Sequence, residues 1–345
     1  PCRDSDRAPS PSKMARGSPP PPPEPAGLMV MGMTLEEAMP FIAAAVLGLL
    51  TIVFLMGGGG AKKFLDPKTA KERKKVKVIK RTMISPDTVN LRFGLPSDNM
   101  VMGLPIGHCI KIFSPNMVGS KKGEWNGRPD DEDGEDEIER KYTPVPNPNP
   151  TDKGFFEMVI KIYSPGVPAQ FVDGGKMSQW FGKLQVGDEM EFQGPLGHIT
   201  YMGKGMFQNG KKEMPVKKIG MMAGGSGITP MLQVVDAVLN DKSDPTHVSL
   251  IYANKTEEDI LTKDMLDKLA AEHPDRFHLH YTLDNPPAGW TGSKGFISEA
   301  MIAEHLPAAG PETVTLLCGP PGMIKFACKP NLEKLGHKSS SVLMF

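Results

Sequence analysis

The sequence predicts an N-terminal transmembrane helix ahead of two folded domains, an antiparallel β-barrel and then an α/β domain on a parallel sheet. Three observations carry this. A charge-free apolar stretch lies near the start, short alternating strands with turn residues fill the middle, and from Lys217 apolar strands alternate with helical stretches. The 345 residues agree with two domains of about 150 residues each and a remainder for tails or anchors.

Residues 1–38 read as a proline-rich leader without a core of its own, with nine prolines in the first 25 positions. Met29, Met31 and Met33 follow, so residues 1–28 are expected to be translated leader or a fragment edge. Residues 39–60 are assigned to the membrane. No charge occurs between Glu37 and Lys62, and at about 1.5 Å per residue a helix there spans roughly 30 Å of hydrocarbon. The flanks set its direction. Residues 61–75 form a basic stalk containing Lys62, Lys63, Lys68, Lys71 and Arg73, while Glu36 and Glu37 precede the run. The positive-inside rule then leaves the C-terminal body in the cytosol.

Residues 76–210 are assigned to the barrel on the runs VKVIKRTMIS, DTVNLRFGL, GHCIKIFSP, KYTPV, FFEMVIKIYS and DEMEFQGP, which alternate and are bounded by turn residues. Residues 211–345 are assigned to the α/β domain. KIGMMAGG, HVSLIYAN, FHLHYTL and TVTLLCGP each precede a helical pattern, as βα repeats require. The boundary falls in the Gly/Lys-rich segment 205–216. Between barrel strands, eight of the ten residues 130–139 are acidic, and such a density is expected to repel itself and stay solvated as an exposed loop.

Charge and cysteines exclude several functions. Forty Lys+Arg balance forty Asp+Glu, so a polyanion partner such as a nucleic acid is not expected. The four cysteines, Cys2, Cys109, Cys318 and Cys328, lack metal-ligand or disulfide-framework spacing and suit a reducing compartment.

Four motifs remain to carry chemistry. Arg140-Lys141-Tyr142-Thr143 ends a strand with Arg140 and Tyr142 on one face, where an arginine can fork onto a pyrophosphate and a tyrosine can stack on a ring. Standing alone it is also an ordinary barrel surface. Gly174-Gly175-Lys176-Met177-Ser178 opens a helix, whose free N–H groups suit an anion or simply a capped turn. Gly224-Gly225-Ser226-Gly227-Ile228-Thr229-Pro230 follows a strand with GxGxxP spacing, so a GxGxxG dehydrogenase is the wrong template. Cys318-Gly319-Pro320-Pro321-Gly322-Met323 closes a strand at the sheet edge where ligands bind.

In this order the motifs resemble the ferredoxin reductase-like flavoprotein family, most closely its NADH–cytochrome b5 reductase branch, over about residues 73–345. The resemblance implies that the barrel binds FAD and the α/β domain binds NADH. It places Arg140, Lys141, Tyr142 and Thr143 in the flavin site, Arg140 on the diphosphate and Thr143 near the flavin N5. It sets Val159 and Lys161 along both cofactors, Gly175, Lys176, Met177 and Ser178 at the diphosphate, and Thr229 beneath the flavin ring. Gly225, Ser226, Cys318, Gly319, Pro320 and Met323 receive the nicotinamide nucleotide. Thr143, Lys161 and Cys318 stand beside the reacting rings as its catalytic set.

Asp284 ends the strand FHLHYTL, where a carboxylate accepts from ribose hydroxyls and repels the extra phosphate of NADP; a turn-forming role before Asn285-Pro286 is the other reading. The family also implies Phe296 beside the adenine. Lys141 stands where the animal enzymes usually have Pro, Ser226 replaces a common Thr, and the acidic segment lengthens the loop before Arg140. The implied activity is hydride transfer from NADH to FAD and single-electron transfer to cytochrome b5, at the endoplasmic reticulum or mitochondrial outer membrane. Two rivals share the motifs, a reductase module of a larger chain such as nitrate reductase and a flavin-free membrane scaffold. Intact Arg140, Tyr142, Ser178 and Cys318 argue against the scaffold.

Overall fold

The computed structural model describes residues 61–345 apart from positions 150, 168 and 170, and before them 29–30, 33–34, 38–44 and 46. The chain divides into two compact units, 1–60 and 61–345. In the first, Met29–Val30 pairs antiparallel with Met33–Thr34, and residues 38–44 are helical. Most of the leader and most of the apolar stretch assigned to the membrane lie outside the described residues. Among the described residues no helix is long and apolar enough to cross a membrane.

The second unit begins with the barrel. Its elements are β1 (Lys74–Ser85), β2 (Thr88–Gly94), β3 (Cys109–Pro115), β4 (Glu137–Tyr142), β5 (Phe155–Lys161), helix α1 (Lys176–Lys183) and β6 (Glu189–Leu196). The strands pair antiparallel in the order β4-β3-β6-β1-β2-β5. Val145, just past β4, donates its N–H to the Glu157 carbonyl of β5 at 3.0 Å and so closes the sheet on itself. Alternation sets the faces. Val89, Leu91 and Phe93 of β2 are fully buried, as a period of two demands. Phe93 stacks on Phe156 at 5.3 Å, and Phe156 meets Phe192 edge-on at 5.9 Å; burying each such ring contributes about 2 kcal/mol. Met177 and Phe181 of α1 enter the same core and thereby fix where that helix starts.

The basic stretch runs into this barrel. Leu65 is buried in the core, and Arg73 pairs with Glu137 and lies 3.8 Å over the Phe113 ring. The Gly/Lys-rich segment between the domains is folded, not a coil. It forms β8 (Met206–Asn209) and β9 (Lys212–Pro215), which join the preceding β7 (Ile199–Tyr201) in a three-stranded antiparallel sheet.

The α/β domain contains β10 (Lys218–Gly224), α2 (Ile228–Asn240), β11 (His247–Asn254), α3 (Lys263–Glu272), β12 (Phe277–Leu283), β13 (Ser293–Lys294), α4 (Glu299–His305), β14 (Thr313–Cys318), α5 (Lys329–Lys334) and β15 (Val342–Met344). All its strands are parallel, in the order β13-β12-β11-β10-β14-β15. β10 is central and, after the exposed Lys218, apolar and buried. Ile219, Met221 and Met222 are fully buried, as expected of a strand covered on both faces. The expected helix after β14 begins instead as a π-helical turn, Met323–Cys328, before α5.

Candidate active site

A cleft of about 1240 Å³ lies between barrel and α/β domain, lined by Arg140, Tyr142, Thr143, Val159, Lys161, Lys176 and Ser178 on one side and by Gly225, Ser226, Thr229, Cys318 and Gly319 on the other. Lys141, Gly175, Met177 and Pro320 also line it. The four motifs, more than 170 positions apart in sequence, thus converge on one space.

On the barrel side, β4 delivers Tyr142, whose ring meets Phe181 of α1 edge-on at 5.0 Å. Burial pushes its hydroxyl up to about 12, so it stays a neutral phenol. α1 starts at Lys176 behind Gly175, and no side chain caps it. Gly174 has φ +74, and a Cβ there would lie 2.4 Å from the Tyr163 carbonyl oxygen, so only glycine allows this approach. The Ser178 hydroxyl donates to the Gly175 carbonyl at 3.1 Å and accepts the Tyr163 N–H at 3.1 Å, which fastens the helix start to the end of β5.

Six of the eight acids in 130–139 are exposed, as the charge density predicts, but Asp130 and Glu132 turn to the cleft wall. Asp130 is 9% exposed at its side chain and pairs through both oxygens with Lys176 Nζ, at 2.8 and 2.7 Å. Glu132 takes the Arg140 guanidinium in a fork at 2.5 and 2.8 Å, and that bond holds its carboxyl below the usual range. The buried Lys176 and the more exposed Arg140 draw in the nearest anions, and this outweighs the mutual repulsion of the acids.

On the α/β side, Gly225–Gly227 forms a tight turn between β10 and α2. Cβ atoms at Gly224 and Gly227 would lie 2.7 Å from the Met323 sulfur and 2.3 Å from the Cys318 carbonyl oxygen, so the two loops touch backbone to backbone. Gly225 faces open space with φ +53. Tyr252, fully buried, donates to the Gly225 carbonyl at 2.9 Å and steadies the turn. The Thr229 hydroxyl donates to the Ser226 carbonyl at 3.1 Å. Burial pushes the Cys318 thiol up to about 11, so it is a thiol at neutral pH.

Asp284, Phe296 and Met323 do not line the cleft. Asp284 donates its N–H to the Asn254 carbonyl at the carboxyl edge of the sheet, and burial raises its carboxyl. Phe296 is 80% exposed. Sequence reasoning missed Trp125, Asn126, Asp130, Glu132 and the terminal Phe345, all on the cleft wall. It also passed over Asn254, a strand-end amide whose side-chain atoms have no partner among the described residues.

Comparison with known proteins agrees with this geometry. An oxidoreductase FAD-binding domain matches residues 75–122 and 131–201, and an oxidoreductase NAD-binding domain matches 221–329. The chain is 41% identical over 319 residues to NADH-cytochrome b5 reductase 1 of Bos taurus, covering 88% of this chain and 97% of that protein. It belongs to the NADH–cytochrome b5 reductase family. Over 276 residues it is 44% identical to NADH-cytochrome b5 reductase 3 of Mus musculus, covering 78% and 85%. The crystal structure of the cytochrome b5 reductase domain of Ulva prolifera nitrate reductase matches with a TM-score of 0.73 and 41% identity, covering 82% of this chain and 99% of that one.

The cleft fits both cofactors of this reductase family. Arg140 and Lys176 already hold two anionic groups, the carboxylates of Glu132 and Asp130, where a diphosphate needs cations. Gly225 and the contact between Gly224 and the Cys318–Met323 loop leave bare backbone for a nucleotide to approach.

Proposed function

We infer that this chain transfers electrons from NADH through FAD to cytochrome b5. One observation carries the reading: a single cleft brings the cationic barrel motif against the glycine turn and Cys318 loop of the parallel sheet. When bound, FAD supplies the exchange between two-electron hydride chemistry and one-electron release. The residues' contribution is positional. Arg140, Lys176 and the first N–H groups of α1 would hold the diphosphate, Tyr142 and Thr143 would border the ring, and Thr229 would support its other face. Gly225, Ser226, Gly319 and Pro320 would admit the nicotinamide nucleotide close to the backbone, with Asp284 and Asn254 at the sheet edge facing its ribose.

Lys161 is a clamp in this scheme. Asp87 and Asp259 each hold its ammonium at 2.7 Å, which takes two of its three N–H donors and fixes its position. Cys318, kept as a thiol, lines the cleft and would border the rings without acting as a nucleophile.

Membrane anchoring through 39–60, with the body in the cytosol at the endoplasmic reticulum or mitochondrial outer membrane, belongs to the same proposal. It is supported by the charge-free stretch and the lysines after it. Purified protein should show flavin absorbance that NADH bleaches and oxidised cytochrome b5 restores. A colourless protein after reconstitution with FAD overturns the reading, and equal bleaching by NADPH overturns the role of Asp284.

A further inference from the structure

The segment between β3 and β4 is where this cleft departs from the family pattern, since the FAD-binding domain match passes over residues 123–130. It is nonetheless a built part of the wall. Glu124–Trp125 pairs with Arg128–Pro129 as a small hairpin. The Asp173 carboxylate accepts the N–H groups of Ser120 and Asn126 at 2.6 and 2.7 Å. In return the Asn126 side-chain oxygen accepts the N–H groups of Asp173 and Gly174 at 2.7 and 3.1 Å, and the Trp125 indole donates to the Gly174 carbonyl at 2.9 Å. The hairpin is therefore fastened to the turn that starts α1.

That fastening puts Asp130 and Glu132 on the cations assigned to the flavin's diphosphate. Lys176, 4% exposed at its side chain, is enclosed by Asp130, by Glu132 at 3.3 Å and by the Trp125 ring 5.0 Å away. Arg140 faces Glu132 in a two-bond fork. A diphosphate added to two cations already matched by two carboxylates would leave uncompensated negative charge in a partly dehydrated wall, where like charges repel strongly.

We propose that the acidic hairpin sets flavin affinity by self-competition: the carboxylates of Asp130 and Glu132 and the diphosphate of FAD contend for Lys176 and Arg140. This rests on the FAD reading above. With the hairpin held in place, the two carboxylate side chains alternate between pairing with the cations and yielding them, and the observed affinity is the intrinsic affinity multiplied by the yielding fraction. The Glu132–Arg140 pair is the more exposed of the two, so it is the place to bias the balance without stranding a buried charge.

The test uses the full chain after removal of its flavin and follows FAD uptake by quenching of flavin fluorescence. If nine-tenths of the molecules have the pair closed, Glu132→Gln binds FAD about tenfold tighter than the unmodified chain. Asp130→Asn with Glu132→Gln tightens it further. Thermal unfolding gives a second readout: without FAD the double variant melts below the unmodified chain because Lys176 has lost its partner, and saturating FAD narrows or reverses that order. Should the double variant fail to fold, Glu132→Gln decides alone. Unchanged or weaker FAD affinity in Glu132→Gln overturns the competition. No uptake by any of the proteins overturns the FAD reading, and this inference with it.

Discussion

The ammonium of Lys161, at the end of β5, lies 2.7 Å from Asp259 Oδ1, a carboxylate that follows β11 in the other domain. Asp87, in the turn between β1 and β2, holds the same nitrogen at 2.7 Å. Although burial pulls the Lys161 value down, the two carboxylates outweigh it and the net shift is upward. The lysine therefore stays charged at any physiological pH and ties barrel to sheet at the cleft.

Removing it leaves two acids facing each other with no cation. Lys161→Met is expected to destabilise the protein by about 2 kcal/mol, below the full figure for a buried pair because Asp87 is part exposed. Urea unfolding measures this. Asp259→Asn should cost less, since Asp87 still compensates the charge. A Lys161→Met protein as stable as the parent would show that the contact between domains does not depend on this pair.

The glycine turn permits a paired comparison. A methyl at Gly227 meets the Cys318 carbonyl at 2.3 Å, and neither backbone can yield easily. Gly227→Ala should destabilise by about 3 kcal/mol. Gly225→Ala meets no atom within 4 Å and bears only its φ of +53, about 1 kcal/mol. If both cost the same in urea unfolding, the backbone contact is not what selects glycine at 227. Gly225→Ala should weaken NADH binding more than stability, because its open side faces the cleft.

Much of this arrangement was legible in the sequence, and the failures have a common physical source. The six barrel strands and the βα repeats follow from local alternation, which is why β2 and β10 were readable. The four motifs were readable because each pairs a residue type with its position at a strand end or helix start. Asp130 was not. Its partner Lys176 is 46 positions away, and a dense run of acids reads as solvated until the fold supplies a buried cation. Lys161 and Asp259 are 98 positions apart, so the motif placed the lysine by the cofactors without revealing what holds it. The sheet β7–β9 escaped because its strands have three or four residues and glycine-rich turns.

Asp236, one turn from the end of α2, gives a pH dependence. Burial pushes its carboxyl up to about 6, against an opposing hydrogen bond from Asn240 at 2.8 Å. The folded state thus holds this proton more tightly than the unfolded state. The stabilisation is whole below about pH 4 and is lost as pH rises through about 6. Asp236→Asn should raise stability at pH 7 by about 1 kcal/mol, discounted for partial solvent access. The gain should vanish near pH 4, which chemical denaturation at the two pH values checks.

Cys318 offers a chemical check. With its thiol moved from 9.0 to about 11 by burial and the neighbouring Cys109, the thiolate fraction at pH 7.5 falls about a hundredfold. Alkylation followed by peptide mass spectrometry should find Cys318 labelled about a hundred times more slowly than a free thiol. Rapid labelling would mean that the loop opens and exposes it.

The sheet β7–β9 also determines how the two halves can move. Tyr201 of β7 donates its hydroxyl to Asp244 beyond α2 and accepts the Gly205 N–H at 2.9 Å, while Gln233 of α2 reaches back to the Gly107 N–H at 2.8 Å and the Pro144 carbonyl at 3.0 Å. The chain crosses between halves without a swivel. A rotation of one half against the other would have to break these bonds first, so the width of the cleft is set by them as long as they hold.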